Sequence, residues 1–195
     1  MAEYVWEGIQ ALGSQSYTCG YCGTPLASER GWFARLGRSG PTGAAIYVCH
    51  KCTRPTFFDH SGNQSPGVVF GEPVKDIPEK TVEQLYEEAR KTTGAGAYTA
   101  AILCCRKLLM HIAVSKGAPE GDTFINYVQF LADKNYIPPD AKGWVDHIRT
   151  KGNEANHEIA IMTKGDAEDL LSFCEMLLKV IFEFPASVNR KLPKP

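Results

Sequence analysis

The sequence predicts a small β unit at the N-terminus followed by an all-α helical bundle, and three observations lead to this fold class. Four cysteines form two Cys-x-x-Cys pairs, with 26 residues between the pairs. Short β-rich runs and glycine-rich turns surround these pairs, as in a small antiparallel sheet. From residue 80 onward, apolar residues recur at spacings of three and four, which is typical of amphipathic helices.

The cysteine pairs are Cys19 with Cys22 and Cys49 with Cys52. Each pair can sit on a tight turn and supply two thiolates to a tetrahedral ion, so the spacing predicts one structural zinc ion. His50, inside the second pair, is an alternative ligand. A disulfide framework and a redox motif are the competing interpretations, but the chain has seven cysteines, an odd number, and we recognise no export signal. A site closed by four thiolates leaves no position for a substrate, so these cysteines are expected to stabilise the fold.

Residues 17–70 therefore predict a zinc ribbon, with strands expected at 31–36, 44–48, 56–60 and 68–70. Aromatic residues are interleaved with arginines in this segment: Trp32, Phe33, Tyr47, Phe57 and Phe58. One interpretation is a sheet that faces nucleic acid. The other, which we favour, is that the aromatic side chains form the core of the ribbon and the arginines its solvated face.

The chain is expected to have five segments. They are an N-terminal lead-in (1–16), the zinc ribbon (17–70), a linker (71–79), a helical domain (80–184) and a flexible tail (185–195). The linker is short, polar and contains prolines, and the tail combines three prolines with basic residues.

Residues 97–114 predict the central helix of the bundle, because their apolar positions cover more than half of a helical wheel. Arg106 lies at the edge of this apolar surface. We expect it to bury its aliphatic stem and to seek a carboxylate or a phosphate.

One polar cluster stands out near residue 150. If the chain stays helical there, Arg149, Asn153 and His157 lie on one face. An arginine, an amide and an imidazole can hold a phosphate and move a proton, as RNA cleavage by its 2′-hydroxyl requires. The alternative is structural: residues 151–153 form an ordinary helix stop, and His157 hydrogen-bonds a neighbouring helix.

The helical part also carries a series of motifs: Tyr86-Glu87-Glu88-Ala89, Gly96-Ala97-Tyr98-Thr99-Ala100-Ala101, Cys105-Arg106-Lys107-Leu108-Leu109, Ile137-Pro138, Ile148-Arg149-Thr150-Lys151-Gly152-Asn153-Glu154-Ala155-Asn156-His157 and Asp166-Ala167. Over residues 78–182 this series resembles the domain of unknown function 4145 family, which is related to the HEPN helical domains. The resemblance implies a helical, commonly dimeric domain of the kind found in defence, toxin–antitoxin and RNA-processing systems. The expected fold class is thus a small β zinc ribbon followed by an all-α HEPN-like helical bundle.

Active HEPN domains, by the same resemblance, cut RNA without metal by using an arginine, usually followed by a polar residue, and a histidine a few positions later. In this sequence Gly152 precedes Asn153, and Arg149 stands one helical turn earlier. Met110 occupies the position after Arg-x-x-Leu at which the similar family commonly has an acid. These departures disfavour nuclease activity.

The formal net charge is −1, which argues against electrostatic attraction of nucleic acid to the protein surface as a whole. We expect a non-catalytic module that binds nucleic acid or protein in a bacterial or phage conflict or RNA-processing system. One alternative is a metal-independent RNase that uses Arg149 and His157, with Arg106 clamping phosphate. A second is a purely structural dimerisation protein.

The expected assembly is a cytoplasmic homodimer with RNA, DNA or a protein as partner. A membrane is not expected, because no apolar run exceeds six residues whereas a membrane helix needs about 18.

Overall fold

The structure, a computed structural model, describes residues 6–38, 40–138, 143–148 and 161–191. Contacts divide the chain into two compact units, Met1–Val69 and Phe70–Pro195. We call them the sheet unit and the helical unit.

The expected fold class, a small ribbon followed by an all-α bundle, is wrong. The described residues form a mixed architecture, in which a five-stranded antiparallel sheet precedes the helices. The sheet begins at Gln10, inside the expected lead-in. Extended chain also belongs to the helical unit, since Val74, between the sheet and the first helix, is buried in the same core as the helices.

The sheet is a meander in which each strand pairs with the next along the chain. Its strands are β1 Gln10–Thr18, β2 Pro25–Arg35, β3 Thr42–Val48, β4 Pro55–Phe58 and β5 Gln64–Ser65. Because consecutive strands are antiparallel, the β1–β2 and β3–β4 turns lie at the same end of the sheet. Each of these turns carries one cysteine pair, so the topology alone brings the two pairs together. We call this end of the sheet the knuckle end.

Aromatic rings fill the core of the sheet unit. Tyr17 and Tyr47 both meet Phe58 edge-on, with ring centroids 5.3 and 5.9 Å apart. Tyr47 and Phe58 are therefore core residues, as the favoured interpretation predicted. Phe33 and Phe57 are exposed, so that interpretation does not extend to them.

The helices of the second unit are α1 Lys80–Gly94, α2 Tyr98–Ser115, α3 Phe124–Asp133, a segment α4 described over 143–148, α5 Lys164–Leu178, a π-helical turn Lys179–Glu183 and α6 Phe184–Lys191. The segment that we expected to be a flexible tail is thus helical as far as Lys191. Helix α5 begins at Lys164, and Thr163 and Asp166 form a capping box at its start.

Helix α2 lies at the centre of the helical unit, where it contacts α1, α3 and α5. By length and composition it is the one helix in the described part of the chain that could cross a membrane, but its apolar residues form the core of its own unit. The homodimer stays a prediction.

Candidate metal centre and ligand-binding residues

The first cysteine pair sits on a tight turn between β1 and β2. The backbone N–H of Cys19 donates to the carbonyl of Thr24 at 2.9 Å, and the N–H of Gly23 donates to the carbonyl of Cys19 at 2.9 Å. Gly23 has φ +67°, a left-handed conformation that glycine adopts without steric cost.

The second pair repeats this turn between β3 and β4. Cys49 donates to Arg54 at 3.0 Å, and Thr53 donates to Cys49 at 2.9 Å. Thr53 takes the place of the glycine and has φ +56°, which is unusual for a β-branched residue. The indole N–H of Trp6 holds this turn by donating to the carbonyl of Thr53 at 2.6 Å.

The two turns bring four sulfur atoms together. Cys19 Sγ lies 3.7 Å from Cys52 Sγ, and Cys22 Sγ lies 3.8 Å from Cys49 Sγ. All four Sγ atoms lie within 4.8 Å of one another. These distances exclude disulfides, whose S–S bond is about 2.05 Å. They match the edge of a tetrahedron, because sulfurs bonded about 2.3 Å from a central ion lie about 3.8 Å apart. The four predicted cysteines can therefore hold a metal ion.

The environment of the thiols fits a cation. Burial raises the pKa of Cys19, and it raises the pKa of Cys52 to about 12. Burial also acts on Cys22, but hydrogen bonds to the side chain and backbone of Thr24 outweigh it and lower the pKa to about 6. Four sulfurs in contact cannot all become thiolates without a positive charge between them, and a bound cation supplies it.

The sulfur set forms a closed site. Cys19 and Cys49 are fully buried, and Cys22 and Cys52 are half-buried. His50 is exposed and is not part of the cluster. Four cysteine ligands complete a tetrahedron, so this arrangement suits a structural ion rather than a catalytic one.

Two exposed aromatic rings of the sheet unit each lie beneath an arginine. Tyr21 is 45% exposed, and the guanidinium carbon of Arg54 lies 5.0 Å from its ring centroid. Phe33 is 39% exposed, and Arg35 lies 5.3 Å from its ring. Such stacked pairs are chemically able to bind bases and phosphates together.

Sequence reasoning did not identify Tyr21 or Trp6 as site residues. The exposure of an aromatic residue between two ligand cysteines could have been predicted, because few other side chains surround the tip of a tight turn. Trp6 lies in the expected lead-in, where its ring also packs on Trp32 at 5.5 Å.

Arg106 lies on α2 with only 7% of its surface exposed, so its guanidinium is buried together with the aliphatic stem that we expected to be buried. Its guanidinium carbon lies 4.3 Å from the ring centroid of Phe124. The structure pairs it with no carboxylate in the described part of the chain. The other residues of the predicted polar site, Arg149, Asn153 and His157, lie outside the described residues, and the RNase alternative stays a prediction.

Comparison with known proteins identifies the helical part. Residues 87–194 match the model of a family described as Domain of unknown function (DUF4145). No curated protein and no solved structure matches the chain significantly. The match covers more than half of the sequence and confirms the resemblance to this family, whereas the HEPN relationship stays a prediction. The chain belongs to the family described as Domain of unknown function (DUF4145).

Proposed function

We propose that this protein is a non-catalytic module that binds single-stranded nucleic acid through the knuckle end of its sheet unit, around a structural zinc ion. The observation that carries the proposal is the stacked pair of Tyr21 and Arg54. An exposed aromatic ring under a guanidinium offers a base a surface for stacking and offers a phosphate a charge-assisted hydrogen bond.

Zinc is the ion that the donor set favours. Cys19, Cys22, Cys49 and Cys52 supply four soft thiolates at tetrahedral spacing. Zinc accepts this set without redox chemistry, and four-thiolate zinc sites are structural. A unit with so small a core gains much of its folding free energy from such an ion.

The charge of the knuckle end supports an anionic partner. Residues 17–24 and 49–58 contain no Asp or Glu, while Lys51 and Arg54 are both exposed there. The ordinary alternative is that these cations only offset the negative charge of four thiolates around a divalent ion. That alternative does not call for an exposed tyrosine at the same place.

Fluorescence anisotropy with labelled single-stranded RNA and DNA tests the proposal. Tyr21→Ala should weaken binding by about 5-fold to 150-fold, because stacking contributes about 1–3 kcal/mol per base. Arg54→Ala should weaken binding and lower the slope of log Kd against log salt concentration by about 0.7, the value for one phosphate contact on a single strand. Phe184→Ala and Lys164→Ala are the matched controls, since both side chains are exposed in the helical unit.

The controls should bind like the wild type. Equal Kd values for the wild type, Tyr21→Ala and Arg54→Ala would contradict the proposal, as would the absence of binding to either single strand. If the protein bound a protein ligand but no nucleic acid, the alternative that it is a protein-binding module would take the place of this proposal.

A further inference from the structure

The helical unit contains two buried arginines with opposite surroundings. Arg90 is 8% exposed, and all of its polar groups have partners. Its Nε donates to the carbonyl of Phe70 at 3.2 Å, its Nη2 to the carbonyl of Gly71 at 2.6 Å and its Nη1 to Glu87 Oε1 at 2.6 Å. This side chain joins α1 to the extended segment before it, and its role is structural.

Arg106 is buried to the same degree but has none of these partners. Among the residues that the structure describes, its fully buried Nη1 has no hydrogen-bond partner, and no carboxylate lies within ion-pair distance of the guanidinium. Helix α2 contains no acidic residue. Met110 occupies the i+4 position, from which an acid could have reached the guanidinium.

An uncompensated buried charge destabilises a fold. Burial lowers the pKa of Arg106, as expected for a cation removed from water without a counter-ion. The guanidinium carbon lies 4.3 Å from the ring centroid of Phe124, and this cation–π contact offsets part of the cost. A neutral ring supplies no counter-charge, so the charge of Arg106 stays uncompensated.

We propose that Arg106 binds a phosphate group, either free phosphate or the terminal phosphate of a nucleotide. The planar fork of an arginine matches two phosphate oxygens, and a charged ligand provides the missing counter-charge. With 7% of its surface exposed, Arg106 offers too little surface to the backbone of a duplex, so the ligand that we propose is a small oxyanion or a chain end. This site lies in the helical unit and is independent of the knuckle end, so the two proposals can fail separately.

Thermal unfolding of the full chain, followed by circular dichroism at 222 nm, tests this site. Inorganic phosphate, adenosine monophosphate, sulfate, acetate and chloride are compared at equal ionic strength. Inorganic phosphate should raise the Tm of the wild type by a few degrees, because a ligand that binds only the folded state stabilises it. A larger shift with the nucleotide than with inorganic phosphate would identify an esterified terminal phosphate, and an equal shift would identify free phosphate.

Two variants act on the charge in different ways. Arg106→Met removes the buried cation, and Met110→Glu gives it a partner on the same helix. Both should melt above the wild type in phosphate-free buffer and lose the phosphate-dependent shift. Lys107→Met is the matched control: it removes an exposed cation next to Arg106 and should keep the shift.

The proposal would be overturned if no anion raised the Tm of the wild type above its value in chloride, or if acetate raised it as much as phosphate. It would also be overturned if the phosphate-dependent rise in Tm survived in Met110→Glu. A lower Tm for Arg106→Met without phosphate would also overturn it, because it would show that the guanidinium already has a partner within the chain.

Discussion

The guanidinium of Arg54 lies over the ring of Tyr21, with its central carbon 5.0 Å from the ring centroid. The two residues come from different turns: Tyr21 follows Cys19, and Arg54 follows Cys52. The meander brings the two turns to one end of the sheet, and an ion shared by the four cysteines would fix their spacing, so the same site positions Arg54 on Tyr21. This arrangement couples the metal centre to the proposed nucleic-acid contact without placing the metal in contact with the ligand.

Removal of the metal should abolish nucleic-acid binding. A strong zinc chelator would leave the four thiols without a common ion, so the two turns would separate and the pair of Tyr21 and Arg54 would be lost. Anisotropy with a labelled single strand before chelation, after it and after zinc is restored measures this coupling. Unchanged affinity of a metal-free sample would show that the contact does not depend on the centre.

Cys49→Ser should remove the ion and unfold the sheet unit. Cys49 is fully buried and supplies one of four ligands, and a hydroxyl is a poor substitute for a thiolate. The zinc content measured by elemental analysis should fall from one ion per chain to near zero, and the fluorescence of Trp6 and Trp32, whose tilted rings lie 5.5 Å apart, should change. Cys104→Ser, on α2, is the control and should keep both signals. A Cys49→Ser variant with full zinc content would contradict the assignment of the ligands.

Gly20→Ala should destabilise the sheet unit by about 1–3 kcal/mol, as expected for overpacking. A Cβ at position 20 would lie 2.4 Å from the carbonyl oxygen of Pro66 and 2.5 Å from that of Gly67, so backbone would have to move. Gly13→Ala is the control, because a Cβ there meets nothing within 4 Å. Chemical denaturation of both variants measures the difference, and equal midpoints would contradict this packing.

Arg90→Met should destabilise the helical unit by about 1–3 kcal/mol, because it leaves the carbonyls of Phe70 and Gly71 without their donor. Arg190→Met is the comparison, since its ion pair with Asp76 lies at the surface, where solvent screens the charges, and should contribute much less to stability. Unfolding in urea, followed by circular dichroism at 222 nm, measures the loss of stability in each of the two variants. A loss for Arg190→Met as large as that for Arg90→Met would contradict the structural role of Arg90.

The metal ligands could be predicted from the sequence because they depend on local chain geometry. A Cys-x-x-Cys turn fixes two sulfurs without reference to the rest of the fold, and the meander then brings two such turns to one end. The burial of Arg106 was predictable for a similar reason, since its place on the helical wheel is a local property. Its lack of a counter-ion depends on the side chains of other elements and could not be read from the sequence.

The predicted fold class was wrong where the sequence pattern indicates secondary structure most weakly. Strand β1 has a polar, glycine-containing sequence with no β-branched residue before Thr18. Its composition therefore does not indicate a strand, although it is hydrogen-bonded to β2. The contact between Arg54 and Tyr21 joins two separate turns, and neither hydrophobic periodicity nor residue propensity can predict such a contact.

Ultraviolet crosslinking to a 4-thiouridine-containing RNA, followed by mass-spectrometric mapping of the joined peptide, shows whether the knuckle end contacts nucleic acid. We expect crosslinks on the peptides that contain Tyr21 or Arg54, and their loss in Tyr21→Ala or after chelation of zinc. Crosslinks confined to residues 70–191, with none in the sheet unit, would contradict it.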